Sequence, residues 1–133
     1  MPTAAGNYQV IATVAADANY NTASSTALAF TINKATITIT VANQIVNYGT
    51  SATPVTNAGS YNPTGFVNGE TAAVISGNAT YSTTYTATTT AATAGVTITP
   101  IVSGLSATNY SFVTANGVIT INKANSTITV TGT

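Results

Sequence analysis

The sequence predicts an all-β protein made of small β-sandwich modules in tandem, with at most one short helical turn. Short runs in which Thr alternates with Val or Ile fill much of the 133 residues, and Gly, Asn and Pro separate these runs. In the clearest run, Thr36–Val41, the threonines share one face and the aliphatic side chains the other, because successive strand residues point to opposite sides. Helical periodicity is nearly absent, and only Glu70–Ala73 suits a helical turn. Many short strands bounded by turn residues favour a β-sandwich.

An internal repeat divides the chain. The pentapeptide TINKA at residues 31–35 recurs, residue for residue, at residues 120–124, which is 89 residues later. The Asn-Tyr pair at residues 19–20 recurs at residues 109–110, shifted by one further residue, as a loop insertion would cause. A period this long exceeds that of a solenoid unit and favours self-contained domains. Further matches at the 89-residue spacing are Gly6 with Gly95, Ile39 with Ile128, and Val41 with Val130.

From this spacing we expect three parts. Residues 1–34 are the C-terminal part of a preceding β repeat, residues 35–123 are one complete β module, and residues 124–133 are the first strand of the next repeat. The junction Lys123-Ala124 is short and contains no Gly or Pro run, so neighbouring modules are expected to be stiffly coupled. Since the first part lacks its opening strands and the last is a lone strand with unpaired backbone groups, we expect copies to associate end to end.

The individual elements follow from the alternation and from the turn residues. Asn68-Gly69 is predicted to close a short apolar run, and Asn116-Gly117 to form a two-residue hairpin turn. The segment from Tyr48 to Pro63 is expected to be loop-like, because it is rich in Pro and Gly. The predicted strands are Tyr8–Val14, Leu28–Ile32, Thr36–Val41, Tyr81–Thr90 (as one strand or two), Val96–Val102, Val118–Ile121 and Ser126–Val130.

The composition excludes most chemistry. Charged residues make up 3% of the chain, against about a quarter in an ordinary globular protein, and the net charge is zero. We therefore expect no nucleic-acid partner, and no membrane insertion because no apolar run is long enough to span a bilayer. His and Cys are absent, and the only acids, Asp17 and Glu70, fall in different modules. No catalytic residue, metal site or cofactor is expected.

Two sets of residues nevertheless suggest specific roles. Lys34 and Lys123 are equivalent in the repeat, and each module has one acid, Asp17 or Glu70. These four are the candidates for an acid-assisted Lys–Asn isopeptide bond of the kind found in some pilus and adhesin domains. We favour the alternative, a solvated lysine at a domain junction, because linker ends are exposed. The repeated tyrosines, Tyr20 and Tyr110, are expected to pack at a sheet corner with the hydroxyl on the backbone, rather than to form a ligand platform.

Several segments carry a resemblance to a known family. Within residues 35–123 they are Tyr48-Gly49-Thr50, Gly65–Thr71, Asn109-Tyr110 and Ile121–Ala124, and before them Gly6-Asn7-Tyr8 and Asn19-Tyr20. With these segments the chain resembles the tandem repeats of giant bacterial surface adhesins, especially those of Bacteroidetes. Residues 35–123 resemble the MBG domain of the YGX type, and residues 2–34 the end of a related MBG or Ig-like repeat. Thr97 departs from the pattern, since such repeats usually carry Tyr there.

The resemblance implies a function as well as a fold. It implies a secreted protein of the bacterial cell surface, in which these modules form a non-enzymatic stalk that projects a distal binding region. The partners it implies are neighbouring repeats of the same protein, with any glycan or surface ligand bound elsewhere in the parent protein. The alternative is a carbohydrate- or surface-binding β module. A cluster of aromatic residues with convergent Asn or Gln would favour that alternative, whereas tyrosines spread one to a strand, as in this sequence, favour the stalk.

Overall fold

The computed structural model describes residues 1–132 and confirms an all-β chain, with 41% of the residues in strands and 7% in helices. The strands are β1 Gly6–Val10, β2 Thr13–Val14, β3 Ala23–Ser24, β4 Leu28–Ile32, β5 Ala35–Val41, β6 Gln44–Asn47, β7 Tyr61–Thr64, β8 Ser76–Gly77, β9 Thr80–Thr83, β10 Thr97–Ile101, β11 Leu105–Ser106, β12 Tyr110–Ala115 and β13 Gly117–Asn122. The helices are α1 Ala52–Asn57 and a 3₁₀ turn at Ala72–Val74.

Residues 1–34 form an antiparallel ribbon without a core. β1 pairs with β4, and β2 pairs with β3 near the end of the ribbon. Tyr8 and Phe30 stack on one face with ring centroids 5.6 Å apart. No residue of this segment is buried. The ribbon is therefore held by its backbone ladder and by contacts across one pair of strands.

Residues 35–122 contain the buried side chains. One sheet has the strand order β12-β5-β7, another the order β6-β13-β10-β9, and β8 pairs with β11. The alternation predicted for Thr36–Val41 is confirmed, because Ile37, Ile39 and Val41 are all buried. Two clusters make up the core: Ile37, Ile39, Leu105 and Tyr110 form one, and Val41, Val55, Tyr85, Val96, Ile98, Ile119 and Ile121 form the other.

A long parallel ladder joins the two ends of this region. Tyr110 lies opposite Ala35 in the β5–β12 pair, and Ile119 opposite Gln44 in the β6–β13 pair. In both pairs the partner lies 75 residues further along the chain, so the two pairs are successive parts of one ladder. β12 therefore continues in the same direction into β13, and β5 continues in the same direction into β6. Each of these two chain segments passes from the β12-β5-β7 sheet into the β6-β13-β10-β9 sheet.

The hairpin predicted at Asn116-Gly117 is wrong. The preference of Asn-Gly for a hairpin turn is overridden by contacts with the segment that joins β5 to β6. There the Val118 N–H donates to Asn43 Oδ1 at 2.8 Å. The backbone also packs too closely for a side chain at position 117. A Cβ on Gly117 would lie 2.7 Å from the Ala42 carbonyl oxygen and 2.9 Å from that of Val41.

The helix content also differs from the expectation of at most one short turn. The 3₁₀ turn at Ala72–Val74 lies where a helical turn was expected, but α1 falls in the segment predicted to be a loop. Ser51 occupies the N-cap position, and Pro54 is tolerated because first-turn N–H groups have no partner within the helix. Burial of Val55 then fixes α1 against the core.

Threonine hydroxyls end the strand predicted from Tyr81 to Thr90. β9 stops at Thr83, whose hydroxyl donates to the Thr97 carbonyl at 2.6 Å and accepts from the Tyr85 N–H at 3.1 Å. Beyond it, the Thr86 N–H donates to the Thr89 hydroxyl at 2.9 Å and closes a turn. Threonine side chains offer the backbone partners that compete with a strand ladder. In contrast, the turn at Asn68-Gly69 is confirmed, since both residues have positive φ.

Candidate functional site

The best candidate for a ligand site is a groove of about 490 Å³ between α1, β7 and β9. Tyr61 begins β7 and Tyr81 lies on β9, and both rings are half-buried. Amide and hydroxyl side chains surround them, so the groove joins apolar faces to neutral hydrogen-bonding groups. We call it the tyrosine groove; its lining residues are Thr56, Asn57, Gly59, Tyr61, Asn78, Ala79, Thr80 and Tyr81.

Gly59 leaves room for the Tyr81 ring in the tyrosine groove. A Cβ at this position would lie 2.3 Å from Cδ2 of the Tyr81 ring, so any side chain there would displace the ring. Burial, followed by the nearby Tyr61 phenol, raises the pKa of Tyr81 above its usual 10.0. The Tyr81 hydroxyl is therefore protonated at neutral pH and can donate as well as accept hydrogen bonds.

The groove suits a neutral polar ligand with apolar faces. No charged side chain lines it, so it offers nothing to select an anion or a cation. Sugar rings combine apolar C–H faces with hydroxyl groups, and aromatic faces beside amides provide for both. The sequence did not predict this cluster: its tyrosines are spread one to a strand, and α1, which supplies two of the lining residues, was expected to be a loop.

Tyr110, the counterpart of Tyr20 in the repeat, is held by burial and by hydrogen bonds. Its ring is buried, and its hydroxyl accepts from the Val67 N–H at 3.1 Å and donates to the Glu70 carboxylate. The hydrogen bond to Glu70, which is the largest cause, raises the pKa of the Tyr110 phenol, whereas the hydrogen bond that the phenol oxygen accepts from the Val67 N–H lowers it. The expected packing with the hydroxyl on backbone is confirmed for Tyr110. It is wrong for Tyr20, which is exposed because the ribbon has no core to receive it.

The four isopeptide candidates have different surroundings. Lys34 Nζ donates to the Ala107 carbonyl at 3.2 Å, and Glu70 accepts from Tyr110. Asp17 accepts from the Asn19 and Tyr20 N–H groups at 2.7 and 2.8 Å, which fixes its own loop. Lys123 follows β13 and is exposed. None of these contacts joins a lysine to an asparagine side chain, and the free state of both lysines stays a prediction.

The junction between the ribbon and residues 35–122 has its own hydrogen bonds. The Ala5 N–H donates to Asn109 Oδ1 at 3.0 Å, and the Ala35 N–H donates to the Asn109 carbonyl at 2.9 Å. Together with the bond from Lys34 to Ala107, these contacts attach the ribbon through side-by-side interactions as well as through the covalent chain. They involve Asn109, one of the residues that the repeat singles out.

Comparisons with known proteins leave the function to be argued from the chain itself. No protein-family model, curated protein or solved structure matches it. Within residues 1–132 there is no group of three or more His, Cys, Asp or Glu side chains arranged to hold a metal ion. Among the helices of these residues, none has the length and apolar character needed to cross a bilayer.

Proposed function

We propose that the chain is a non-enzymatic structural repeat from a stalk of an extracellular bacterial adhesin or surface filament. In this proposal residues 35–123 are a small sandwich-like module of the MBG type, joined in tandem to related repeats. Its task is to hold a distal binding region away from the cell and to carry tension along the repeat axis.

The single observation that carries the proposal is the parallel ladder of residues 35–47 with residues 110–122. In parallel strands, the start of one and the end of the other lie at opposite ends of the pair. The chain therefore enters the module at Ala35 and leaves at Asn122 on the opposite side, as an extended array requires. A pull on these two points slides the strands along each other, and loads the ladder hydrogen bonds together rather than one after another.

Single-molecule force spectroscopy tests this role. Because the chain has no cysteine, handles can be attached through Lys34→Cys and Ala124→Cys. We expect one cooperative rupture, at a force severalfold above that of a control with handles at Thr36→Cys and Thr64→Cys. Those two positions lie at the same end of the antiparallel β5–β7 pair, so tension there separates its hydrogen bonds one at a time. Rupture at equal or lower force through residues 34 and 124 would refute a load-bearing role.

The second candidate function is glycan binding in the tyrosine groove, which the proximity of Tyr61, Tyr81, Asn57 and Asn78 favours. Its test is a glycan array probed with the whole chain and with Tyr61→Ala and Tyr81→Ala. Tyr20→Ala is the matched control, since Tyr20 is an exposed tyrosine far from the groove in sequence. Binding that both groove variants lose and the control keeps would establish this function; an array without signal would reject it.

A further inference from the structure

We infer that this chain binds a second copy of itself end to end through a defined strand register. Residues 124–129 of one copy add as a parallel strand beside residues 20–25 of the next, and Lys123 of the first copy faces Asp17 of the second. The interface deepens the proposed stalk role and rests on the same tandem repeat.

The chain contains its own template for this pairing. Residues 35–40 of β5 pair in parallel with residues 110–115 of β12, beginning with Ala35 opposite Tyr110. The 89-residue repeat makes residues 124–129 the counterpart of 35–40, and the Asn-Tyr match makes residues 20–25 the counterpart of 110–115. Transferring the register places Ala124 opposite Tyr20, and Ile128 opposite Ser24.

Both surfaces are open within residues 1–132. β3 pairs only with β2, so the other edge of β3 has no strand beside it in this part of the chain. Residues 124–132 belong to no strand, and their Ile128 is 89% exposed, whereas its counterpart Ile39 is fully buried. Addition of a strand to a free edge pairs backbone groups of both partners and covers apolar side chains on one face.

The junction contacts supply charge complementarity. Ala107, whose carbonyl accepts from Lys34 Nζ, has Asp17 as its counterpart when the two Asn-Tyr pairs are aligned. At a junction between copies, Lys123 takes the place of Lys34, so its ammonium lies at the Asp17 backbone carbonyl and beside the carboxylate of the same residue. Both backbone bonds to Asp17 use the same oxygen, Oδ1, which leaves Oδ2 for the incoming ammonium. Half of the charged residues of the chain thus lie at this one contact.

The occupant is a second copy because the tail cannot reach its own ribbon along the ladder. The ribbon joins the ladder at residue 35, and the tail leaves at residue 122. In the assigned register Ala124 lies opposite Tyr20, yet Ala124 follows Asn122 by only two residues, which span at most about 7 Å. Thirteen residues of strand separate Asn122 from the start of the ladder at residue 35 by roughly 40 Å. A contact between different surfaces of successive copies does not close by itself, so it extends into a linear array.

Sedimentation velocity over a concentration series tests the association. We expect the weight-average sedimentation coefficient of the 133-residue chain to rise with concentration. Ile128→Thr is expected to weaken association about tenfold through loss of buried apolar area. Ile45→Thr makes the same exchange at an exposed isoleucine outside the interface and is expected to leave association unchanged. A chain that stays monomeric throughout, or equal effects of the two variants, would overturn the inference.

A charge exchange tests the ion pair. Lys123→Asp and Asp17→Lys each place like charges at the contact, and each is expected to weaken association about fivefold. The double variant restores opposite charges and is expected to return to within about twofold of the original. If the double variant is as weak as the single ones, Lys123 does not face Asp17 and the assigned register is wrong.

Cysteine pairs test the register directly. A mixture of Ser24→Cys and Ile128→Cys chains is expected to form an intermolecular disulfide under mild oxidation, identified by mass spectrometry of the linked peptides. Thr127→Cys, one residue out of register, is the control and is expected to link more slowly. Equal rates would refute the register. Absence of all association, combined with a high rupture force in the single-molecule experiment, would reject the interface and leave the stalk role standing.

Discussion

Residues 6–32 and residues 95–122 share a sequence pattern but have opposite environments. Tyr20 is 75% exposed, whereas its counterpart Tyr110 is 2% exposed and bonded to Glu70. Leu28 is an exposed side chain, whereas its counterpart Gly117 is pressed against the carbonyls of residues 41 and 42. The second region is surrounded by β5, β6, β7 and β9, which have no equivalents beside the ribbon in the described chain. A pattern of strand residues therefore predicts an element, and the neighbouring elements decide whether that element is buried.

The difference between the two regions is tested most directly by producing each of them as a separate chain. We expect residues 35–123 alone to give one cooperative unfolding transition and a dispersed NMR spectrum, because both core clusters lie within them. Residues 1–34 alone are expected to be unfolded, since a two-strand ribbon without a core is at best marginally stable in water. Dispersed β-sheet signals from monomeric residues 1–34 would contradict the predicted module boundary.

Equivalent isoleucines should differ strongly in their effect on stability. Ile39→Ala removes a fully buried side chain and is expected to lower the free energy of unfolding by about 2–5 kcal/mol. Ile128→Ala, at the equivalent exposed position, is expected to change it by about 0.5 kcal/mol or less. Urea unfolding at low protein concentration, where the chain is monomeric, measures both. Similar losses for the two variants would show that the tail is packed in the monomer.

Replacement of Gly117, at the point where β12 passes into β13, should lower the stability of the fold. Replacement of its counterpart in the ribbon, Leu28, should have little effect. Gly117→Ala brings a Cβ against two carbonyl oxygens of β5 and the residue that follows it, and is expected to cost about 1–3 kcal/mol. Leu28→Ala is expected to cost about 0.5 kcal/mol or less, because Leu28 faces solvent. The midpoints of thermal or urea unfolding decide the matter. A Gly117→Ala chain as stable as the original would mean that the crossing strands can move apart easily.

Alkaline pH should distinguish the two tyrosines. The bond to Glu70 raises the folded-state pKa of Tyr110 above about 10, the value of an unfolded tyrosine. Because the folded value is the higher one, this contribution to stability is complete below about pH 10 and is lost as the pH rises through the folded pKa. Tyr110→Phe is expected to reduce stability at pH 7 and to lose less on going to pH 11, whereas Tyr20→Phe should behave like the original chain. Urea midpoints at both pH values test this. An unchanged alkaline loss in Tyr110→Phe would exclude the Tyr110–Glu70 bond as its source.

The smallest expected effect concerns the repeated lysines. We expect both Lys34 and Lys123 to be free amines, so the intact mass should equal the sequence value. An isopeptide bond to asparagine would lower the mass by one ammonia for each bond. If that loss is found, Glu70→Ala is the variant to measure next, since abolition of the loss would identify the assisting acid.

Local features of the fold could be predicted from the sequence. Thr36–Val41 alternates so regularly that only one strand face can be apolar, and Asn68-Gly69 adopts the positive φ values that these residues tolerate best. α1 was missed because Pro and Gly around it suggested a loop, although Ser51 and Pro54 together suit a helix start. The sequence therefore did contain a helix-start signal, but the Pro and Gly content of the segment favoured the loop prediction.

Features that depend on distant contacts could not be predicted. The hairpin expected at Asn116-Gly117 fails because Asn43, more than seventy residues away, supplies a hydrogen bond to Val118 that the dipeptide itself does not indicate. The tyrosine groove likewise needs α1, β7 and β9 to converge. The sequence of β7 does not indicate that Tyr61 lies near Tyr81, and the sequence of β9 does not indicate it either. The ribbon has no core because, in the part of the chain that the structure describes, no further strands lie beside it. The alternation of apolar and polar residues within the ribbon does not indicate whether such neighbouring strands exist.

The 75-residue separation within the parallel ladder also determines when folding can occur. Within residues 35–122, the first two strands, β5 and β6, have their ladder partners in the last two, β12 and β13. Contacts between residues so far apart close late and slow folding, because loop-closure entropy is lost before the ladder hydrogen bonds form. A chain that is still being synthesised, or that is passing through a narrow pore, therefore cannot complete this ladder until β13 emerges. Only then can the ladder join the two ends of residues 35–122.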